Sequence, residues 1–153
     1  CVGRADVMDR AWPPSKGEAL HTSTFLGNPV GCAMALAQIK EIEKSKLPER
    51  AAELGEFLLH ELDSLATRHS PLVISTRGLG LMAGVELRRQ DGSPATARTF
   101  AAVKELLRRG FIFLPEGEFG NVISLTPPLT ITKAQLTKAI AALKEVLATD
   151  EHR

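Results

Sequence analysis

The stretch Arg77-Gly78-Leu79-Gly80-Leu81-Met82-Ala83-Gly84-Val85-Glu86 decides how the rest of the chain is read. Its spacing Gly78-x-Gly80-x-x-Ala83 fits a loose dinucleotide-binding fingerprint, which works only with a strand before it and a helix after it. Here Leu79 to Leu87 reads as a strand, with Gly78, Gly80 and Gly84 loosening its first half. A strand where the helix should be rules the dinucleotide reading out. The glycines then have a structural role: they let two chain segments approach closely.

Working outward, Leu72-Val73-Ile74 reads as a buried strand upstream. Before it, Pro48 opens a helix whose stripe is Ala51, Leu54, Leu58, Leu62 and Leu65, expected to end near His69. Downstream, Asp91-Gly92 is a turn and Ser93-Pro94 caps a helix. That helix is expected to turn Phe100, Val103 and Leu107 inward and to stop at Gly110. Phe111 to Leu114 is a third strand, Glu116 to Gly120 a loop, and Asn121 to Leu125 a fourth strand ended by Pro127-Pro128. Thr132 and Gln135 form a T-x-x-Q capping box. The last helix follows, with Leu136, Ile140, Leu143 and Leu147 on one face. Strand pairs with helices between them give an α/β fold of the α+β kind: a small, mainly antiparallel sheet covered by helices on one face.

Residues 1–28 show no clear helical or strand period and carry the turn chemistry of Trp12-Pro13-Pro14 and Lys16-Gly17. Such a stretch is expected to pack on something beyond itself. It ends in His21-Thr22-Ser23-Thr24-Phe25-Leu26-Gly27-Asn28-Pro29. Asn28 suits a helix N-cap and Pro29 the first helical position. Val30, Ala33, Met34, Ala37 and Ile42 then recur at helical spacing to about Lys44. Hydroxyls beside a helix N-terminus suit a phosphate, because hydroxyl and backbone N–H donors converge there and the dipole favours negative charge. The plainer reading is a capped helix with no ligand.

Charge offers no partner: 19 basic side chains stand against 18 acidic ones, with no basic excess for nucleic acid or an anionic membrane. No apolar run approaches the roughly 20 residues of a membrane span. Cys1 and Cys32 make neither a disulfide framework nor a metal motif, which points to a reduced, cytoplasmic setting. Cys32 reads as a small core residue inside its helix. His21, His60, His69 and His152 are scattered, so no metal site is expected. Glu116 and Glu118 read as a solvated loop, and Arg108 and Arg109 as complements of a helix dipole. The chain opens at Cys1 rather than Met, which reads as a processed or partial chain.

The segment H-x-S-T-F-x-G-N-P at 21–29, followed by a small-residue helix, resembles the one that follows the cofactor lysine in class III pyridoxal-phosphate (PLP) aminotransferases, the ornithine, acetylornithine and 4-aminobutyrate type. The stretch 77–86 resembles the family's R-G-x-G-L-M-x-G-x-E strand pair, and Gly120-Asn121-Val122-Ile123 with Pro127-Pro128-Leu129-Thr130-Ile131 its last strand and turn. Cys1 to Met8 resembles the stretch just downstream of the lysine segment. The resemblance implies the C-terminal domain of a fold-type I PLP-dependent transferase. It implies that Thr24, assisted by Ser23, binds the cofactor phosphate in the neighbouring subunit's site. The organisation it implies is a remnant of the large PLP-binding domain at 1–28, a connecting helix at 29–47 and the C-terminal small domain at 48–153.

Two departures from the family stand out. The Schiff-base lysine, the aspartate that pairs with the pyridine nitrogen and the glycine-rich phosphate turn lie upstream of the part matched here, and the loop around Lys16 does not match the lysine segment. No residue of this chain is therefore expected to be catalytic, and PLP is not expected to bind it covalently. At Ser124 many relatives carry an arginine that grips the substrate carboxylate. The expectation is the C-terminal part of an aminotransferase, inactive alone, which in full length is a homo-oligomer, a dimer by family, acting on a small-molecule amino donor and a 2-oxo acid. No nucleic acid or membrane partner is expected. The alternative is a truncated, non-catalytic remnant that serves as an interaction or small-ligand-binding module.

Overall fold

The computed structural model describes residues 3–12, 24–25, 27–65 and 72–148. The chain divides into two compact units, Cys1–Glu41 and Ile42–Arg153. The first unit opens with a helix, α1 (Ala5–Ala11), in the stretch read from sequence as loop. Seven residues are too few to show a period, and none of them is buried. Asp6 in the first turn suits the helix dipole, and the Arg10 guanidinium donates to its carbonyl oxygen at 3.0 Å. Helix α2 (Pro29–Lys44) starts and stops where the sequence places it. It buries no residue, and Cys32 is exposed rather than a core residue. Small side chains at helical spacing gave α2 a core-like pattern, but apolar spacing alone does not supply a partner.

Lys46 adopts the left-handed conformation (φ 48°) and breaks the chain between α2 and α3 (Leu47–Asp63). Leu54, Leu58 and Leu62 of α3 are buried, with Leu65 just beyond its end. The helix stops well before His69, which lies outside the described residues. The Ser64 hydroxyl donates to the Glu61 carbonyl at 2.6 Å, and the Leu65 N–H donates to the Leu62 carbonyl at 2.9 Å. These bonds satisfy carbonyls that a continuing helix would have used.

Strand β1 (Leu72–Leu79) and β2 (Met82–Arg89) form an antiparallel hairpin. The single strand expected from Leu79 to Leu87 is thus two strands and a turn. The turn falls at Gly80-Leu81, and Gly80 has φ +56°, which a side-chain-bearing residue rarely adopts. Helix α4 (Thr96–Arg108), β3 (Leu114–Glu116), β4 (Val122–Leu125) and α5 (Lys133–Ala148) complete the unit. The strand order is β1-β2-β4-β3 and every pair is antiparallel. Helices α3 and α4 pack on one face of the sheet, and α5 packs on both helices. That is the expected fold class.

The core is built from alternate strand positions and helix stripes. Ala83, Val85 and Leu87 of β2 and Ile123 and Leu125 of β4 point into the helices and are buried. Leu136, Ile140 and Leu143 of α5 belong to the same core, each at most 2% exposed. Each such side chain contributes about 1.5–3 kcal/mol by leaving water. The expected inward stripe of α4 is displaced by one residue. Thr99, Ala102 and Leu106 are buried, while Phe100 and Leu107 are 42% and 59% exposed; of the expected stripe, Val103 is half-buried against the core. Thr99 is tolerated there because its hydroxyl donates to the Ala95 carbonyl at 3.2 Å. Phe100 lies against Gly120 instead of the core.

Other local signals fare unevenly. Gly110 (φ +84°) closes α4: its N–H reaches the Leu107 carbonyl, and the Phe111 N–H reaches Leu106. Ser93 does not cap α4; its N–H and hydroxyl both donate to Asp91 Oδ1 and shape the preceding turn. Phe111 to Phe113 are irregular, and β3 is confined to Leu114–Glu116. The capping box is present, with the Gln135 N–H donating to Thr132 Oγ1 at 3.2 Å and the Thr132 N–H to Gln135 Oε1 at 2.9 Å.

Candidate functional site

Two places carry the residues singled out from sequence: the turn before α2 and the sheet face turned away from α3 and α4. In the turn, the Asn28 N–H donates to the Phe25 carbonyl at 3.1 Å. Asn28 Oδ1 then accepts from the N–H groups of Val30 (2.9 Å) and Gly31 (3.1 Å). The Cys32 N–H goes to the Asn28 carbonyl at 2.9 Å, and Pro29 has no N–H to give. The free end of α2 is therefore already capped. Among the described residues, Thr24 is the hydroxyl side chain beside this end of the helix, and it is exposed in the turn. Ser23, His21 and Lys16 lie outside the described residues.

The makeup of that sheet face is set by the register. Arg77 stands opposite Gly84, Gly84 opposite Ser124, and Ser124 opposite Leu114, so these four form one row across the strands. The next row is Ser75, Glu86, Val122 and Glu116. Glu86 is the hub. Its carboxylate accepts from Arg77 Nη1 at 2.7 Å, Arg88 Nε at 2.9 Å and Asn121 Nδ2 at 3.3 Å. The Arg77 hydrogen bond holds its carboxyl below the ordinary glutamate range, with Arg88 and Asn121 adding to this, against partial desolvation. Asn121 is buried and also donates to the Leu87 carbonyl at 3.1 Å, stitching β2 to the start of β4. On α3, Arg50 donates to the carbonyls of Leu129 and Ile131 and fixes the loop between β4 and α5.

The sequence reading did not single out Glu86, Arg50 or Asn121 as network residues. A signal for Glu86 existed: Gly84, Glu86 and Arg88 alternate with apolar Ala83, Val85 and Leu87, the mark of a strand with one polar face. Which charge meets which required the hairpin register. Glu116 and Glu118 are exposed, as expected of a solvated loop edge. Arg108 and Arg109 do more than complement a dipole: both pair with Glu105, at 3.3 and 3.0 Å, and Arg109 also reaches Glu145 at 3.1 Å. Among the described residues no group of acidic, histidine or cysteine side chains could hold a metal ion, and no helix is long and apolar enough to cross a membrane.

A family model, aminotransferase class III, matches residues 1–147. The chain belongs to that family. It is 39% identical over 128 residues to the putrescine aminotransferase of Pectobacterium atrosepticum, covering 84% of this chain and 26% of the relative. It is 35% identical over 146 residues to an alanine/serine racemase of Pyrococcus horikoshii, covering 95% of this chain and 29% of the relative. Among solved structures, an aminotransferase from Bacillus anthracis superposes with a TM-score of 0.75 at 33% identity, over 87% of this chain and 32% of that one. The chain thus spans between a quarter and a third of the length of the relatives it matches. Class III aminotransferases use PLP. One of these relatives is named a racemase, so membership of the family and the reaction of the whole protein are separate questions.

Proposed function

We propose that this chain is the C-terminal part of a PLP-dependent aminotransferase that moves an amino group from an amine or amino acid to a 2-oxo acid. Residues 1–28 belong to its large domain, 29–47 form the connecting helix and 48–153 the small domain. The observation that carries the reading is the class III match over residues 1–147, with an exposed threonine in the turn ahead of a capped helix. PLP, when bound, supplies an electron sink at the substrate α-carbon and carries the amino group between donor and acceptor. The residues of this chain bind and position. Thr24, with Ser23 beside it, donates a hydroxyl to the cofactor phosphate of the neighbouring subunit, and the enzyme works as a cytoplasmic homo-oligomer. The small domain holds the sheet face turned away from α3 and α4, and with it Ser124, in place beside the substrate. The lysine that acts as acid and base lies in the part upstream of the match, so this chain alone turns nothing over.

The 153-residue chain and a longer protein that contains it test this together. With PLP and an amino donor, the longer protein transaminates, and the chain alone neither transaminates nor yields borohydride-trapped cofactor. In the longer protein Thr24→Val weakens cofactor binding by about tenfold, the worth of one hydrogen bond to a charged group. Efficient turnover by the chain alone, with one of its own lysines modified, sinks the division of labour.

A further inference from the structure

The row Arg77–Gly84–Ser124, on the sheet face turned away from α3 and α4, sets a guanidinium beside a bare glycine. Strands lie about 4.8 Å apart, so a group resting over Gly84 is one strand spacing from the backbone of Arg77 on one side and of Ser124 on the other. Arg77 lines the hollow over Gly84, whereas Ser124 lines a second hollow with Leu114, Leu125 and Leu136. Gly84 must stay bare for this: a Cβ there would come within 3.0 Å of Val122 Cγ1. A hollow of about 350 Å³ opens above the glycine, lined by Arg77, Gly78, Leu79, Met82, Ala83 and Gly84. Arg77 is its one charged wall, and Leu79 and Met82, 82% and 64% exposed, are its apolar walls.

The charge at this place is positive. Glu86 faces two guanidinium groups, Arg77 at 2.7 Å and Arg88 at 2.7 Å, so the cluster keeps one positive charge in excess. Glu86 is 15% exposed, whereas the Arg77 side chain is 61% exposed. Glu86 therefore anchors one nitrogen of a fork whose other donors face the hollow. The other carboxylate on this face, Glu116, stands on β3 on the far side of β4.

We propose that Arg77, beside the bare Gly84, binds the carboxylate of a short-chain amino or 2-oxo acid, with its alkyl part against Leu79 and Met82. Its use as a substrate contact rests on the aminotransferase reading; the binding itself does not. Arg77 acts here as a specificity-determining residue, and a planar guanidinium held at one corner by Glu86 is preorganised for the two oxygens of a carboxylate.

Butyrate and its uncharged amide, butyramide, are the probes, titrated into the 153-residue chain at low ionic strength and followed by backbone amide shifts. Butyrate is expected to move the amides of Arg77 to Gly84, and butyramide to leave them in place. Arg77→Gln weakens butyrate binding by about tenfold or more, the loss of a charge-assisted pair, and Arg77→Lys restores part of it. Butyrate shifts that survive Arg77→Gln, or that butyramide reproduces, overturn the proposal. In the longer protein the same Arg77→Gln change raises KM for the 2-oxo acid more than it lowers kcat. A longer protein without transaminase activity, beside a chain that binds butyrate through Arg77, overturns the aminotransferase reading and leaves this one standing. An active transaminase whose KM ignores Arg77 does the reverse.

Discussion

On the helix-covered face of the sheet, β2 and β4 present Ala83, Val85, Leu87, Ile123 and Leu125, all buried. One residue further along the same strands, the opposite face presents Gly84, Glu86, Arg88 and Ser124, all partly open to solvent. The backbone and register are shared, so the two faces differ only in what lies across from them. Against helices, any side chain that fills the space is adequate, and the constraint is volume. Facing outward, the constraint is pairing: Glu86 needs Arg77 and Arg88, and Gly84 must have no side chain. The first face makes the fold, and the second carries whatever this piece contributes to chemistry.

The covered face breaks most readily at its centre. Ile123 is fully buried, opposite Val85 on one side and Pro115 on the other. Ile123→Ala is expected to cost about 2–5 kcal/mol, with the spread set by how far the neighbours collapse into the space. Urea unfolding checks this. A loss below that range would mean that the sheet and helices are not closely packed there.

A smaller effect is expected where the hairpin meets α3. A methyl group on Gly55 would run into the backbone of Gly80, at the tip of the β1–β2 turn. Overpacking of that kind costs about 1–3 kcal/mol. Gly55→Ala is expected to lower the unfolding free energy from urea titration by that amount while leaving the helical circular dichroism unchanged, because α3 itself gains from alanine. Unchanged or increased stability would show that the hairpin tip does not rest on α3.

The two faces also differ in how much of them was legible in the sequence. Leu54, Leu58, Leu62, Leu136, Ile140 and Leu143 recur at helical spacing, and their burial follows from that pattern. Where burial depends on tertiary context, the pattern misleads. Phe100 is the bulkiest apolar residue of α4, yet the helix leaves it half-exposed and turns Thr99, Ala102 and Leu106 inward. The turn inside 79–87 was hidden because Gly80 and Leu81 interrupt apolar residues without any polar punctuation. The site was legible only as a motif. Thr24 and the Asn28 cap could be read from local sequence, since a cap involves residues two or three apart. The pairing of Arg77 with Glu86 could not, because it depends on which residue of β2 lies opposite which residue of β1.

The smallest expected effect is on the outer face, and its signature is pH dependence rather than size. The hydrogen bond from Arg77, followed by those from Arg88 and Asn121, lowers the folded-state pKa of Glu86. A carboxylate whose pKa falls on folding stabilises the protein above its unfolded value, about 4.3, and the contribution is lost as pH drops through the lower folded value. Glu86→Gln keeps the shape and removes the charge. At neutral pH it is expected to cost less than about 1 kcal/mol, because Arg77 is largely exposed and solvent screens the pair. The gap between wild type and Glu86→Gln should then narrow as pH falls from neutral through the acid range, measured by urea midpoints at each pH. A gap that is constant or widens on acidification would mean that Glu86 holds the face through shape and its contact with Asn121, and not through its two guanidinium partners. The outer face would then follow the same packing rule as the inner one, and the contrast between the two faces would fail at the residue where it is sharpest.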